Sequence, residues 1–204
     1  MFSAPPADDV LRDLGDKVVA SLVDATATTR DDLSDYRSFR PGWVADHSER
    51  GLASWIHDRL WANLRRELDG VDEVLLTDLG ATREIAVGLN YRARVKRHSI
   101  TDRVRSYPTK AALAFWAQSE TTLSGLEEVR LGFGYRWDPE ERRIGKAVIS
   151  LRDGLETDAI WVVEVDTGEA GTDGVRPINS NPVDPSLPQI DLYEASTGAG
   201  EETS

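Results

Sequence analysis

Apolar residues recur along this chain first with the period of a helix and then with the period of a strand. Near the start, Leu11, Leu14, Val18 and Leu22 fall at helical spacing and Asp8 and Asp9 suit a cap and first turn. The stretch "DDVLRDLGDKVVASLVDA" is therefore expected to be a helix. The polar stretch "TATTRDDLSDYRSFRPG" interrupts the stripe and is expected to contain a loop. The longest stripe follows, with Leu52, Ile56, Leu60, Leu64 and Leu68 repeating every fourth residue of "HSERGLASWIHDRLWANLRRELDG". Asp46 with Glu49 three residues on resembles a capping box at its start, and Gly70 is placed to stop it.

The period then drops to two. "EVLLTD" before "LGAT" reads as a first strand, and "EIAVGLNYRARVKRH" as a second. In the second, Ile85, Val87, Leu89, Tyr91, Ala93 and Val95 face one way, and Asn90, Arg92, Arg94, Lys96 and His98 face the other. In "EVRLGFGYRWD", Val129, Leu131, Phe133, Tyr135 and Trp137 alternate with Arg130, Gly132, Gly134, Arg136 and Asp138. "RIGKAVISLRDG" and "DAIWVVEVD" supply two more strands between turn signals, and "TKAALAFWAQ" reads as a short helix between the second and third. Short connections between the last three strands favour an antiparallel meander. The expected fold is thus α+β, an about five-stranded, mostly antiparallel sheet with helices packed on one face.

Charge divides the chain further. Residues 167–204 hold seven acids against the single Arg176, a net of −6, with four prolines and five glycines. Such a stretch buries too little apolar surface to offset the entropy of ordering it and is expected to be a disordered acidic tail. Within it "PQIDLYEA", residues 188–195, breaks the monotony, and its Ile190, Leu192 and Tyr193 could dock on the body or on a partner. The expected organisation is an N-terminal helix and polar linker over 1–40, an α+β core domain over 41–166 and the tail over 167–204.

With 204 residues, 40% of them hydrophobic, the chain has enough for one sizeable core. The first residues lack a basic region followed by an apolar one, and nowhere do about 18 apolar residues run together. Secretion and membrane spanning are not expected, which leaves the cytoplasm. The absence of cysteine excludes disulfides, thiolate nucleophiles and cysteine-ligated zinc. A net charge of −12 and a pI near 4.7 give a long-range field that repels polyanions. Arginine outnumbers lysine 20 to 4, as GC-rich bacterial coding favours; the same bias suits bidentate contacts to anions.

Motifs that fix a chemistry are missing. There is no phosphate-binding G-x-x-x-x-G-K-[ST], no G-x-G-x-x-G opening a helix, no H-E-x-x-H and no G-x-S-x-G. The glycines of "GFGYRW" lie inside a strand, where they bend it or admit another backbone or a ligand. His47 and His57 stand ten residues apart with no carboxylate placed for ligation, so neither a metal nor a cofactor is expected. The informative feature is the polar side of the second strand, whose cations stand about 6.6 Å apart, two residue rises. Residues 83–110 carry eight cations against Glu84 and Asp102, a net of +6. Arg92, Arg94, Lys96, His98, Arg130 and Arg136 are the candidate binding residues, with Lys146 and Arg152 on the same face if the strands pair as expected. Like charges across a sheet destabilise it, so acidic segments of the chain, an acidic partner or a phosphate backbone must compensate.

Two functions fit this face. One is a non-enzymatic regulatory protein, of the antitoxin, immunity-protein or adaptor kind, binding a protein partner through basic strands. The other is a nucleic-acid-binding protein or metal-independent nuclease, for which His98 is the candidate base. Against the second stand the acidic pI and the absence of an aromatic ring interleaved with the cations, since Tyr91 faces the core side.

Overall fold

A computed structural model describes residues 3–79, 82–104, 106, 108–118, 128–154 and 158–166; the expected disordered tail over 167–204 lies outside the described residues. Four helices come first: α1 (Ala7–Leu14), α2 (Asp16–Phe39), α3 (Pro41–Asp46) and α4 (Glu49–Glu67). The strands β1 (Val74–Leu79), β2 (Thr82–Val87) and β3 (Tyr91–Ser99) follow. The chain continues through α5 (Lys110–Trp116) to β4 (Val129–Asp138), β5 (Arg143–Leu151) and β6 (Trp161–Val165). The six strands lie in sequence order in one sheet. Every neighbouring pair is antiparallel except β3 and β4, whose parallel pairing requires the long crossover that carries α5. The fold is α+β, with the N-terminal helices on a mostly antiparallel sheet. No helix among the described residues is long and apolar enough to cross a membrane.

One face of the sheet carries the core. Ile85, Tyr91, Ala93, Val95, Leu131, Phe133, Tyr135, Ile149 and Val163 are buried in one cluster with Val10 and Leu14 of α1, Leu22 and Leu33 of α2, and Leu52, Ile56, Leu60 and Leu64 of α4. Residues on both sides of position 40 therefore share a core. Polar ties pin the helices to the sheet: Tyr91 donates to Asp13 Oδ2 at 2.7 Å and Arg30 of α2 donates to the carbonyls of Ile144 and Gly145 at 3.0 and 2.7 Å.

The structure departs from the periodic reading in three places. Gly15, with φ of +78°, splits the first expected helix into α1 and α2. The polar stretch after it is not a loop but the second half of α2, whose inward face is built from Ser21, Ala25, Thr26, Thr29 and Leu33 rather than from large apolar residues. Two of its hydroxyls are bonded: Ser21 Oγ donates to Glu67 O of α4 at 3.2 Å, and Thr29 Oγ1 donates to Ala25 O at 2.6 Å and accepts from Asn63 Nδ2 at 2.9 Å. Finally, the long second strand is a hairpin. Its turn includes Gly88, with φ of +57°, and leaves Leu89 exposed in the connection. Val87 pairs with Tyr91 across that turn, so the alternation keeps its phase and the core and reverse faces are those expected. The cap of α4 is also different: Ser48, not Asp46, accepts from Gly51 N at 3.1 Å.

Candidate functional site

The reverse face assembles as the alternation predicts. In the parallel β3–β4 ladder Arg92 lies beside Arg130, Arg94 beside Gly132, Lys96 beside Gly134 and His98 beside Arg136. The expectation of an uncovered cationic face is corrected, because the crossover between β3 and β4 folds back over it. Trp116 at the end of α5 is fully buried, and a Cβ added to Gly132 would come within 3.7 Å of both Trp116 and His98 and 2.6 Å of Ser150 Oγ. The strand glycines thus make room for the chain's own groups.

The arginines of the row are neutralised within the fold. Glu128, just before β4, takes Arg92 Nε at 3.0 Å on one oxygen and Arg130 Nε at 3.1 Å on the other. A single carboxylate so relieves the like-charge pair that the ladder forces together. Arg130 also donates to the carbonyls of Ala114, Phe115 and Ala117, and Arg94 pairs with Glu84 while lying 4.0 Å from the Phe115 ring centre. Arg136 Nε donates to Asp102 Oδ1 at 2.9 Å and its other end pairs with Glu164. Glu84, Asp102, Glu128 and Glu164 are therefore the compensating acidic groups.

His98 and Lys96 lack such partners. The His98 ring is completely buried, with Nε2 2.8 Å from Ser150 Oγ, and burial, reinforced by Arg152, pushes its pKa down to about 3. It stays neutral and out of reach of solvent, which corrects the expectation that it could act as an accessible base. Lys96 Nζ meets Ser106 Oγ at 3.3 Å and lies 5.7 Å from the Trp116 ring centre; it has no carboxylate among the described residues. Burial, with Arg94 and Arg152 nearby, lowers its pKa to about 8.

Beside Lys96 the sheet opens. The β2–β3 ladder stops at Ile85↔Ala93, although β2 runs back to Thr82 and β3 on to Ser99. The Asn90 carbonyl bonds to Val129 of β4 and the Ser99 amide to Arg103 O on the opposite side. By alternation, the main-chain groups of Val95 and Arg97 point toward the β2 side, where beyond the end of the β2 ladder the chain returns antiparallel to β3 and Val104 bridges His98. The gap is a cleft of about 1060 Å³ between this strand edge and the α4 face carrying Glu49, Arg50, Ala53, Ser54, His57 and Asp58. Six cationic side chains line it, Arg50, Arg83, Arg94, Lys96, Arg97 and Arg103, against the acids Glu49 and Asp58. Arg83 is held by Asp58 at 2.5 Å and Arg97 by Glu49 at 3.5 Å, whereas Arg50 and Arg103 make no ion pair among the described residues. His57 is held below its ordinary pKa by burial and by Arg83, so it adds no positive charge at neutral pH.

Arg94, Lys96 and His98 line the cleft, while Arg92, Arg130 and Arg136 do not. Arg50 on α4 gives no periodic signal, and the cleft itself arises from a ladder that stops early. Among the described residues no three His, Asp or Glu side chains converge to hold a metal ion. Comparison with known proteins returns no matching family model, no matching curated protein and no matching solved structure.

Proposed function

We propose that the protein is a non-enzymatic regulatory protein, of the antitoxin, immunity-protein or adaptor kind, that holds an extended acidic segment of a partner protein in the cleft beside β3. The observation that carries this reading is the gathering of six cations on one cleft, of which Arg50, Lys96 and Arg103 meet no carboxylate among the described residues. An acidic segment laid along the cleft supplies the carboxylates that these cations lack within the described residues. A nucleic acid is the weaker ligand for this site. Tyr135 and Trp137 line the cleft but are buried, leaving no ring on which a base could stack, and the whole-molecule charge of −12 opposes a polyanion.

The test is a titration of the full chain with an alternating Glu-Val octapeptide and, separately, with a twelve-residue oligothymidylate. The peptide is expected to bind with micromolar affinity, and Arg50→Glu/Arg103→Glu to weaken it at least tenfold. Tighter binding of the oligonucleotide, with a steep loss of affinity as salt rises, would reverse the assignment in favour of nucleic acid. Binding of neither ligand would end it.

A further inference from the structure

We infer that β1 is a dimerisation edge: its free side pairs antiparallel with β1 of a second copy of this chain, about a twofold axis at Thr77 that sets Leu75 of each copy against Leu79 of the other.

Three observations lead there. The first is the edge itself. β1 stands at one end of the strand order, and among the described residues only β2 pairs with it. Gly88 N donates to Glu73 O at 2.9 Å, one step beyond the Val74↔Val87 pair. By alternation Leu75, Thr77 and Leu79 bond to β2, while the main-chain groups of Leu76 and Asp78 point to the free side. The strand has no proline, no lysine and an unbroken register, the usual devices that keep another strand away from an edge. Its one charge, Asp78, is turned to Trp61 Nε1 at 2.9 Å and Arg83 Nε at 3.5 Å of its own copy.

The second is the outer side chains. Val74 and Leu76 pack against the core, which sends Leu75, Thr77 and Leu79 to the reverse face. Leu75 and Leu79 are 63% and 75% exposed there, so two leucines of one short strand stand in water. The third is self-complementarity, which decides the occupant. Hydrogen bonds across a new edge need outward-pointing residues opposite one another, so a twofold axis falls on a residue and not between two. An axis on Thr77 sets Leu75 opposite Leu79, Leu76 opposite Asp78 and Thr77 opposite itself; both exposed leucines are covered and no like charges meet. An axis on Leu76 puts Leu79 against Glu73, and one on Asp78 brings two carboxylates face to face. Pairing over residues 75–79 makes a small interface, so the dimer is expected to dissociate in the micromolar range. Each copy carries a charge of −12, so added salt is expected to tighten it.

The experiment uses the full chain, which has no cysteine, so one introduced thiol reports on one position. Across the axis residue 77 forms a pair without mutual hydrogen bonds, whose Cα atoms lie about 4.5 Å apart, within the span of a disulfide. Thr77→Cys is therefore expected to oxidise to a covalent dimer at least tenfold faster than Leu89→Cys, an exposed control in the β2–β3 connection. Sedimentation equilibrium at about 100 µM, above the expected dissociation constant, is expected to give the wild-type chain twice its 22.6 kDa and the Leu75→Lys/Leu79→Lys variant the single mass. Both lysines replace exposed side chains, and an unchanged far-UV circular dichroism spectrum checks that the variant keeps its fold. A monomeric wild-type chain at that concentration, a dimer that survives the two lysines, or equal oxidation rates of Thr77→Cys and Leu89→Cys overturns the inference.

Discussion

On one face of the sheet Leu131, Phe133 and Ile149 are buried against α2 and α4 by hydrocarbon, while on the other Phe115 and Trp116 are buried against Arg94, Arg130, Lys96 and Arg152. The first face is closed by surface removed from water, which is insensitive to charge state. The second is closed by a crossover whose rings lie near guanidinium and ammonium groups and whose flanks supply Asp102 and Glu128. A row of like charges along a strand is therefore not in itself a sign of an external ligand. It marks a surface that needs anions and π-faces, and here the same chain provides most of them. The remainder is local: the charges left over collect where β2 and β3 part.

The contrast between the faces is sharpest at Gly134, and the largest effect is expected there. A Cβ at this position would fall inside the van der Waals surface of the Lys96 carbonyl oxygen, which is backbone and cannot rotate away. Gly134→Ala must push β3 off β4 and with it the whole cationic row. Its expected cost is roughly 4 kcal/mol or more, a large share of the 5–15 kcal/mol typical of a domain. Urea denaturation measures it. A midpoint unchanged from wild type would mean that the β3–β4 contact yields easily and that the reverse face is not rigidly closed.

Next in size is the matched pair Phe133→Ala and Trp116→Ala. Both side chains are fully buried, and each truncation leaves a cavity worth about 3 kcal/mol or somewhat more. The faces part company in their response to salt. Loss of Trp116 also strips Lys96 and Arg152 of the ring they lie against, so its penalty is expected to shrink as salt screens the exposed cations, while that of Phe133→Ala stays constant. Equal salt dependence of the two variants would remove the distinction between the faces.

How far the sequence carried this comparison depends on which signal each element left. Strand phase was legible because Ile85, Val87, Tyr91, Ala93 and Val95 alternate with charged residues, and the odd-numbered turn of the β2–β3 hairpin preserved that phase even though the turn itself went unseen. The second half of α2 was not legible, because Thr26, Thr29 and Ala25 bury small or hydroxyl-bearing side chains that score as polar or neutral. The six candidate binding residues do share one face, yet nothing in their spacing announces that Glu84, Glu128, Asp102 and Glu164 lie beside them, since ion pairing across strands and a crossover is long-range information. Arg50 and Arg103 of the cleft were invisible as a pair for the same reason.

The smallest predicted effect isolates Lys96, the cation of the β3 row that has no carboxylate partner among the described residues. Lys96 has a folded-state pKa lowered to about 8, through burial first and then through Arg94 and Arg152, whereas an unfolded lysine titrates near 10.4. Because the folded state releases this proton first, the unfolded chain binds more protons between those values, and stability contributed at this site rises with pH from about 8 toward 10.4. Below pH 8 the charged ammonium is a constant penalty on the fold. The groups facing it are Arg94, Arg152, Ser106, Trp116, the neutral His98, and His57, whose pKa burial and Arg83 lower further from this range. Lys96→Met is expected to stabilise by about 1–2 kcal/mol at pH 7.5, with the discount that partial exposure imposes. That advantage should fall steadily by pH 9.5. A constant difference across the range would place the Lys96 ammonium in contact with solvent or an anion, and the electrostatic asymmetry between the two faces would then rest on the arginines alone.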